Sequence, residues 1–283
     1  MRFAFAGIDF LAGVFEALLA EGWDPVKLFT RPCDGVYDSN DGVLERARQL
    51  SLPLQLSRIR PADLAVLGAQ GCEALVVAGY PWLIHGWEGH LNYAINIHPS
   101  PLPVGRGPYP LFRAILDGYE RWGVTAHALD PGFDTGAILC QEQFPLSPAE
   151  THETLLAKCQ MSARRLATAR GRDCPDRWRA ARPQSGGSYF PRAHDGQRTL
   201  EWSQEVAVIL RRIRAFGGVE TIADVAGRRI FITAASGWTE PHAHNPGTVL
   251  HQHQGHLVVA ARDGFVQLTD WNAKALPARS AVP

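Results

Sequence analysis

The chain opens on an apolar run, Arg2-Phe-Ala-Phe-Ala-Gly7, whose length and closing glycine predict a buried strand and a turn. Residues 10–21 then set Leu11, Val14, Phe15 and Leu18 at helical spacing. Val26–Thr30 predicts a second strand and Val43–Leu50 a second helix. Ala74–Ala78 and Ala94–His98 are two more short apolar strands, set between Gly- and Pro-rich turns. Strands alternating with helices predict a mostly parallel sheet with helices on both faces. In such sheets chemistry gathers just beyond the carboxyl ends of the strands.

Thr151 can cap a helix running to about Arg170, with Leu155, Cys159, Ala163 and Leu166 on one face. Residues 183–197 lose that periodicity and collect Pro, Gly and Ser, which predicts a linker. Beyond it lie a helix around Ser203–Ala215 and short strands at Arg229–Ala234, Thr248–His251, Leu257–Ala261 and Phe265–Leu268. Gly227, Gly247, Gly255 and Gly264 punctuate them, the pattern of a small β-barrel. The expected architecture is α/β: a Rossmann-like catalytic domain over residues 1–182, a linker over 183–197, and an OB-like β-barrel domain over 198–283.

Composition narrows the classes. With 28 basic against 28 acidic residues the net charge is zero, which argues against a generally basic nucleic-acid binder but allows a local patch. Five scattered cysteines without a C-x-x-C pair suit reduced thiols in a cytoplasm. No leader-like segment precedes the first strand, and no apolar stretch approaches a membrane span, so a cytoplasmic protein without a membrane partner is expected.

Candidate chemistry concentrates at the fourth strand. Asn96 and His98 sit two apart and therefore share a face, and Pro99 ends the strand. Asp134 lies in the turn Asp130-Pro-Gly-Phe-Asp-Thr-Gly136, where its carboxylate could hydrogen-bond the imidazole. Amide, imidazole and carboxylate make a natural set for acyl transfer. The amide donates to a developing oxyanion, the imidazole handles the proton of an attacking amine, and the carboxylate orients the imidazole.

The stretch 96–139 closely resembles the core signature of the folate-dependent formyltransferases. The matching pieces are Asn96/His98, Ser100-Pro-Leu-Pro103, Arg106-Gly107, Gly123-Val-Thr125 and Asp134-Thr-Gly136. Looser likeness covers nearly the whole chain, including the tail from Pro246 to Leu268. The resemblance implies Asn96, His98 and Asp134 as the catalytic trio and 10-formyltetrahydrofolate as donor, with no metal. It places the pterin over Val76–Ile84, so that Tyr80, Pro81, Trp82, Leu83 and Ile84, with Asp130 and Gly132, would bind the donor. Ser100, Arg106 and Tyr109 would face the acceptor. The tail histidines His242, His244, His251, His253 and His256 lack a Cys or carboxylate at ligand spacing and read as solvated strand ends rather than a zinc site.

The acceptor is less sharply written. In the methionyl-tRNA enzymes of the family a basic insertion follows the second strand. Here residues 31–42 hold one Arg against Asp34, Asp38 and Asp41, which would repel a phosphate backbone. Against that, Arg164–Arg192 holds eight arginines (164, 165, 170, 172, 177, 179, 182 and 192) and two aspartates. The balance favours a small-molecule amine, such as an aminosugar nucleotide or a hydroxyornithine. Methionyl-tRNA is the alternative, and a formylfolate hydrolase or non-catalytic binder the further one.

Overall fold

The computed structural model describes residues 1–33, 38–168 and 173–274. Its elements begin with β1 (Arg2–Gly7), α1 (Gly13–Ala20), β2 (Asp24–Phe29), α2 (Asp41–Gln49), β3 (Leu54–Gln55), α3 (Pro61–Ala69), β4 (Ala74–Ala78) and β5 (Tyr93–His98). There follow α4 (Pro110–Leu116), β6 (Arg121–Ala128), β7 (Ile138–Pro145), α5 (His152–Thr168) and α6 (Cys174–Arg179). The chain continues through α7 (Asp195–Arg198), α8 (Val206–Phe216), β8 (Thr221–Val225), β9 (Arg228–Thr239), β10 (Val249–His253), β11 (His256–Ala260) and β12 (Gly264–Asn272).

Alternation along β1 explains why its sheet needs covering on both sides. Phe3 and Phe5 turn one way and meet Phe15 of α1 at ring separations of 5.6 and 5.5 Å. Ala4 and Ala6 turn the other way, into a buried cluster with Leu64 and Leu67 of α3. Each fully buried Phe or Leu there contributes about 1.5–3 kcal/mol by leaving water. The sheet runs β3-β2-β1-β4-β5-β6-β7. Its pairs from β3 to β5 are parallel, and β6 and β7 are antiparallel. The expected mostly parallel sheet is therefore present, with one reversed strand, β6, that matters for the site.

Periodicity alone does not reveal α3. Its start is set instead by Pro61 in the first turn and by Asp63, whose carboxylate accepts the Arg60 N–H at 2.8 Å. The helix expected from residue 10 begins three residues later, after a 3-10 turn at Asp9–Leu11.

The chain divides into two compact units. The first holds 1–110, 121–145 and 157–190; the second holds 111–120, 146–156 and 191–283. In the second, β10-β11-β12-β9-β8 form a five-stranded antiparallel sheet. Ile209 and Ile213 of α8 are buried with Ile232, Val259, Val266 and Leu268. Phe112 joins this unit by stacking on Phe216 at 4.8 Å. Strand β8, whose Thr221 to Ala223 are buried, went unforeseen because it lacks alternation. The stretch expected as a linker carries α7, and its residues 184–190 hydrogen-bond within the first unit. Among the described residues no helix is long and apolar enough to cross a membrane.

Candidate active site

The reversal of β6 aligns two cross-strand rows. Asn96 of β5 faces His127 of β6, and His98 faces Thr125. Leu129 N bonds the Ala94 carbonyl, so the turn that follows β6 starts at the amino end of β5. It then folds back over the β5 face and carries Asp134 to Asn96 and His98. The site thus sits on that face as well as at the strand's carboxyl end. Asp134 takes the left-handed conformation at φ 57°, which an aspartate tolerates better than most residues.

Hydrogen-bond roles follow from what each partner can do. The Gly105 carbonyl lies 2.8 Å from His98 Nε2 and can only accept, so Nε2 carries the hydrogen. Neutral His98 therefore turns a lone pair at Nδ1 toward Asp134 Oδ1, 3.4 Å away. His127 is fixed in the opposite tautomer. Its Nδ1 donates to the Ala128 carbonyl at 2.8 Å, leaving Nε2 to accept from Asn96 Nδ2 at 3.1 Å. The second N–H of Asn96 goes to Asp134 Oδ1, also at 3.1 Å. Asp134 Oδ2 accepts the Gly107 N–H at 2.8 Å.

His98 is 6% exposed. Burial disfavours the imidazolium and pulls its pKa below the ordinary 6.5, although the nearby Asp134 carboxylate acts the other way. Burial would also raise the Asp134 carboxyl. The imidazoles of His98 and His127 and the Gly107 N–H outweigh it and bring the value down to about 2. The N–H donors on Asp134, from the Asn96 amide and the Gly107 backbone, keep it the ionised member, and burial keeps His98 the neutral one.

The structure brings Asn96, His98 and Asp134 together and adds His127 and Gln184, both unforeseen. An antiparallel register for 123–129 would have exposed His127, because Thr125 and His127 share a face. Gln184 lay in a stretch read as linker, where nothing in its neighbours marks it. Other expected contacts are placed differently. Ser100 is fully buried, and its hydroxyl donates to the Val104 carbonyl at 2.8 Å, so it braces a turn instead of facing an acceptor. The Asp130 carboxylate accepts from Thr135 Oγ1 at 2.7 Å and from the Gly132 N–H at 3.1 Å, so Asp130 and Gly132 close the 130–136 turn that carries Asp134. Ile84 is core. The Tyr80 hydroxyl is spent on Ile59 N and the Ser57 carbonyl, each at 3.1 Å, with Trp82 set edge-on to its ring and Arg58 over Trp82. Pro81 and Leu83 are exposed beside them. Arg106 Nε donates to Gln184, and Tyr109 is half-buried. Among the described residues no cluster of three His, Cys, Asp or Glu forms a metal set, and the tail histidines include none. Arg170, Arg172 and residues 34–37 lie outside the described residues.

A mostly parallel sheet that presents an amide, a carboxylate and an imidazole with one nitrogen free of hydrogen is suited to acyl-type group transfer. Residues 55–169 match the model of the formyl transferase family and residues 194–281 that of its C-terminal domain, and the chain belongs to this family of one-carbon transferring enzymes. It is 33% identical to a methionyl-tRNA formyltransferase of Acidiphilium cryptum, over 95% of this chain and 91% of that protein. It is 31% identical to one of Cereibacter sphaeroides, over 95% and 90%. Among solved structures it is similar to WlaRD, a sugar 3N-formyltransferase (TM-score 0.69, 17% identity, 97% of this chain and 99% of that one). It is also similar to HypX from Aquifex aeolicus in complex with tetrahydrofolic acid (TM-score 0.62, 21% identity, 96% and 44%). At these identities the likeness to solved structures is one of fold.

Proposed function

We propose that the chain transfers the formyl group of 10-formyltetrahydrofolate to the α-amino group of methionyl-tRNA, with Asn96, His98 and Asp134 as the reacting-centre residues. The observation that carries the chemistry is His98 Nδ1 at 3.4 Å from Asp134 Oδ1, with Nε2 committed to the Gly105 carbonyl at 2.8 Å. The acceptor nitrogen attacks the formyl carbon and the carbonyl electron pair moves to oxygen. His98 Nδ1 takes the proton the nitrogen sheds, and the new imidazolium pairs with Asp134. The oxyanion's electron pair then re-forms the carbonyl, the bond from carbon to the folate nitrogen breaks, and the proton held on His98 Nδ1 passes to that departing nitrogen, which restores the neutral imidazole. Both N–H groups of Asn96 are committed in the resting site. One must turn from His127 or Asp134 to reach the oxyanion, exchanging the hydrogen bond it leaves for a charge-assisted one.

This gives Asp134 a different duty from the one the sequence suggests. The Gly105 carbonyl orients the ring, and the carboxylate waits for the cation.

Support for methionyl-tRNA comes from the relatives of that name, which the chain matches along nearly its whole length. A second reading, a small aminosugar nucleotide, draws support from residues 31–42. There the single arginine is paired to Asp38 and the remaining side-chain charge is acidic. A neighbouring fold, the N-formyltransferase of Helicobacter canadensis, was solved with folinic acid and dTDP-3-aminofucose. Tetrahydrofolate release from 10-formyltetrahydrofolate separates these readings. Release that depends on methionyl-tRNA supports the first, and release that depends only on dTDP-3-aminofucose replaces it with the second. Release without any amine would make the chain a hydrolase and overturn both.

A further inference from the structure

The segment after β7's partner residue Arg182 is stitched across both active-site loops. Arg182 pairs with Ile138, just past the catalytic turn, through reciprocal backbone bonds of 2.8 and 2.9 Å. Gln184 Nε2 then donates to the carbonyls of Asp134 (2.9 Å) and Gly136 (2.7 Å), while its Oε1 accepts from Arg106 Nε at 3.0 Å. Further on, Ser188 N bonds the Pro103 carbonyl, Arg106 N the Ser188 carbonyl, and Phe190 N the Arg106 carbonyl. The Ser188 hydroxyl accepts the Gly105 N–H at 3.0 Å.

Each bond lands beside a working group. Gly105 supplies the carbonyl that fixes the His98 tautomer, and Gly107 supplies the N–H on Asp134. The Gln184 amide holds Asp134 by its own carbonyl, at the residue whose backbone is left-handed. Close approach is built in: a Cβ on Gly187 would lie 2.0 Å from the Pro103 carbonyl oxygen, and one on Gly107 2.4 Å from that of Phe190.

Resting on the formyl-transfer reading above, we infer that Gln184 is a positioning residue for the reaction: its amide clamps the 134–136 turn to the 105–107 loop and so fixes Asp134 against His98. Two amide hydrogens on two carbonyls, with the amide oxygen held by Arg106, make a clamp that only an amide of this length completes. Neither Met, isosteric but without donors, nor Glu, which at neutral pH cannot donate, would reproduce it.

Gln184→Met and Gln184→Glu test it on the full chain. Two readouts are taken: amide hydrogen exchange over residues 130–137, and steady-state transfer from 10-formyltetrahydrofolate to methionyl-tRNA, or to dTDP-3-aminofucose if only that amine is formylated. Exchange in β1 and β4 serves as the folding control, and Asp134→Asn is run beside them. The clamp predicts exchange in the turn accelerated at least ~10-fold with β1 and β4 unchanged. It also predicts kcat lowered on the order of 100-fold, as misplacement by about 1 Å can do, with the donor KM within about threefold. Unchanged exchange in the turn overturns the inference. So does near-wild-type kcat in the Gln184 variants while Asp134→Asn is inactive. If Asp134→Asn itself turns over at wild-type speed, the site reading fails, and the exchange data still judge the clamp on their own.

Discussion

His98 and His127 are both imidazoles on one face of the sheet, yet a single backbone carbonyl apiece gives them different work. Gly105 takes the hydrogen of His98 Nε2 and frees Nδ1 for a proton; Ala128 takes the hydrogen of His127 Nδ1 and turns Nε2 into an acceptor for Asn96. Since burial lowers the His98 pKa, the neutral base persists to pH values below 6.5 and is lost only as the pH falls further. The acid limb of kcat/KM should therefore have its midpoint below 6.5; a midpoint at or above that value would remove His98 as the buried base. Asp134, held to about 2, stays ionised across that range and adds no second limb. The trio was legible at this scale because Asn96 and His98 alternate on one strand and the Asp-Thr-Gly turn is distinctive. The Gly105 carbonyl was not legible, because a backbone acceptor leaves no mark in residue type.

Strand β6 organises the loop beside the base. Thr125, fully buried, donates to the Ser100 carbonyl at 2.7 Å and accepts from Leu102 N at 3.1 Å and Gln141 Nε2 at 2.9 Å. Trp122, three residues earlier, donates its indole N–H to the Pro99 carbonyl at 2.8 Å. The bend after His98 is thus pinned from the neighbouring strand. Replacing Thr125 by Val keeps the shape but leaves the Leu102 N–H and the Ser100 carbonyl without this partner, while the Gln141 amide keeps its bond to the Leu102 carbonyl. It should lower unfolding free energy by about 1–3 kcal/mol, read as a lower urea midpoint at unchanged slope. No loss would mean that water reaches those groups. Most strands, and the helices α1, α2, α5 and α8, were visible in the sequence through apolar periodicity, whereas the short α4, α6 and α7 were not. Short β3 and the Pro-initiated α3 were hidden for want of it. The antiparallel sense of β6 was hidden too, because direction leaves alternation unchanged, and the place of His127 went with it.

Across the whole molecule, the proposed reacting centre lies within the first compact unit, on loops laced together by residues 184–190 that resemble a linker only in composition. The second unit has its own core around Ile209, Ile213 and Val266. Its sequence from 195 on is nearly neutral, nine basic against eight acidic residues, and gives little hint of an acceptor. Sequence kinship therefore carries the choice of methionyl-tRNA, while site geometry carries the reaction. Formyl transfer by Asn96→Ala, His98→Ala and Asp134→Asn, measured with donor affinity on the same preparations, tests that geometry most directly. Turnover lower by roughly 10²–10⁴-fold with donor Kd nearly unchanged is the predicted result. Rates within a few fold of wild type for any of the three would contradict it.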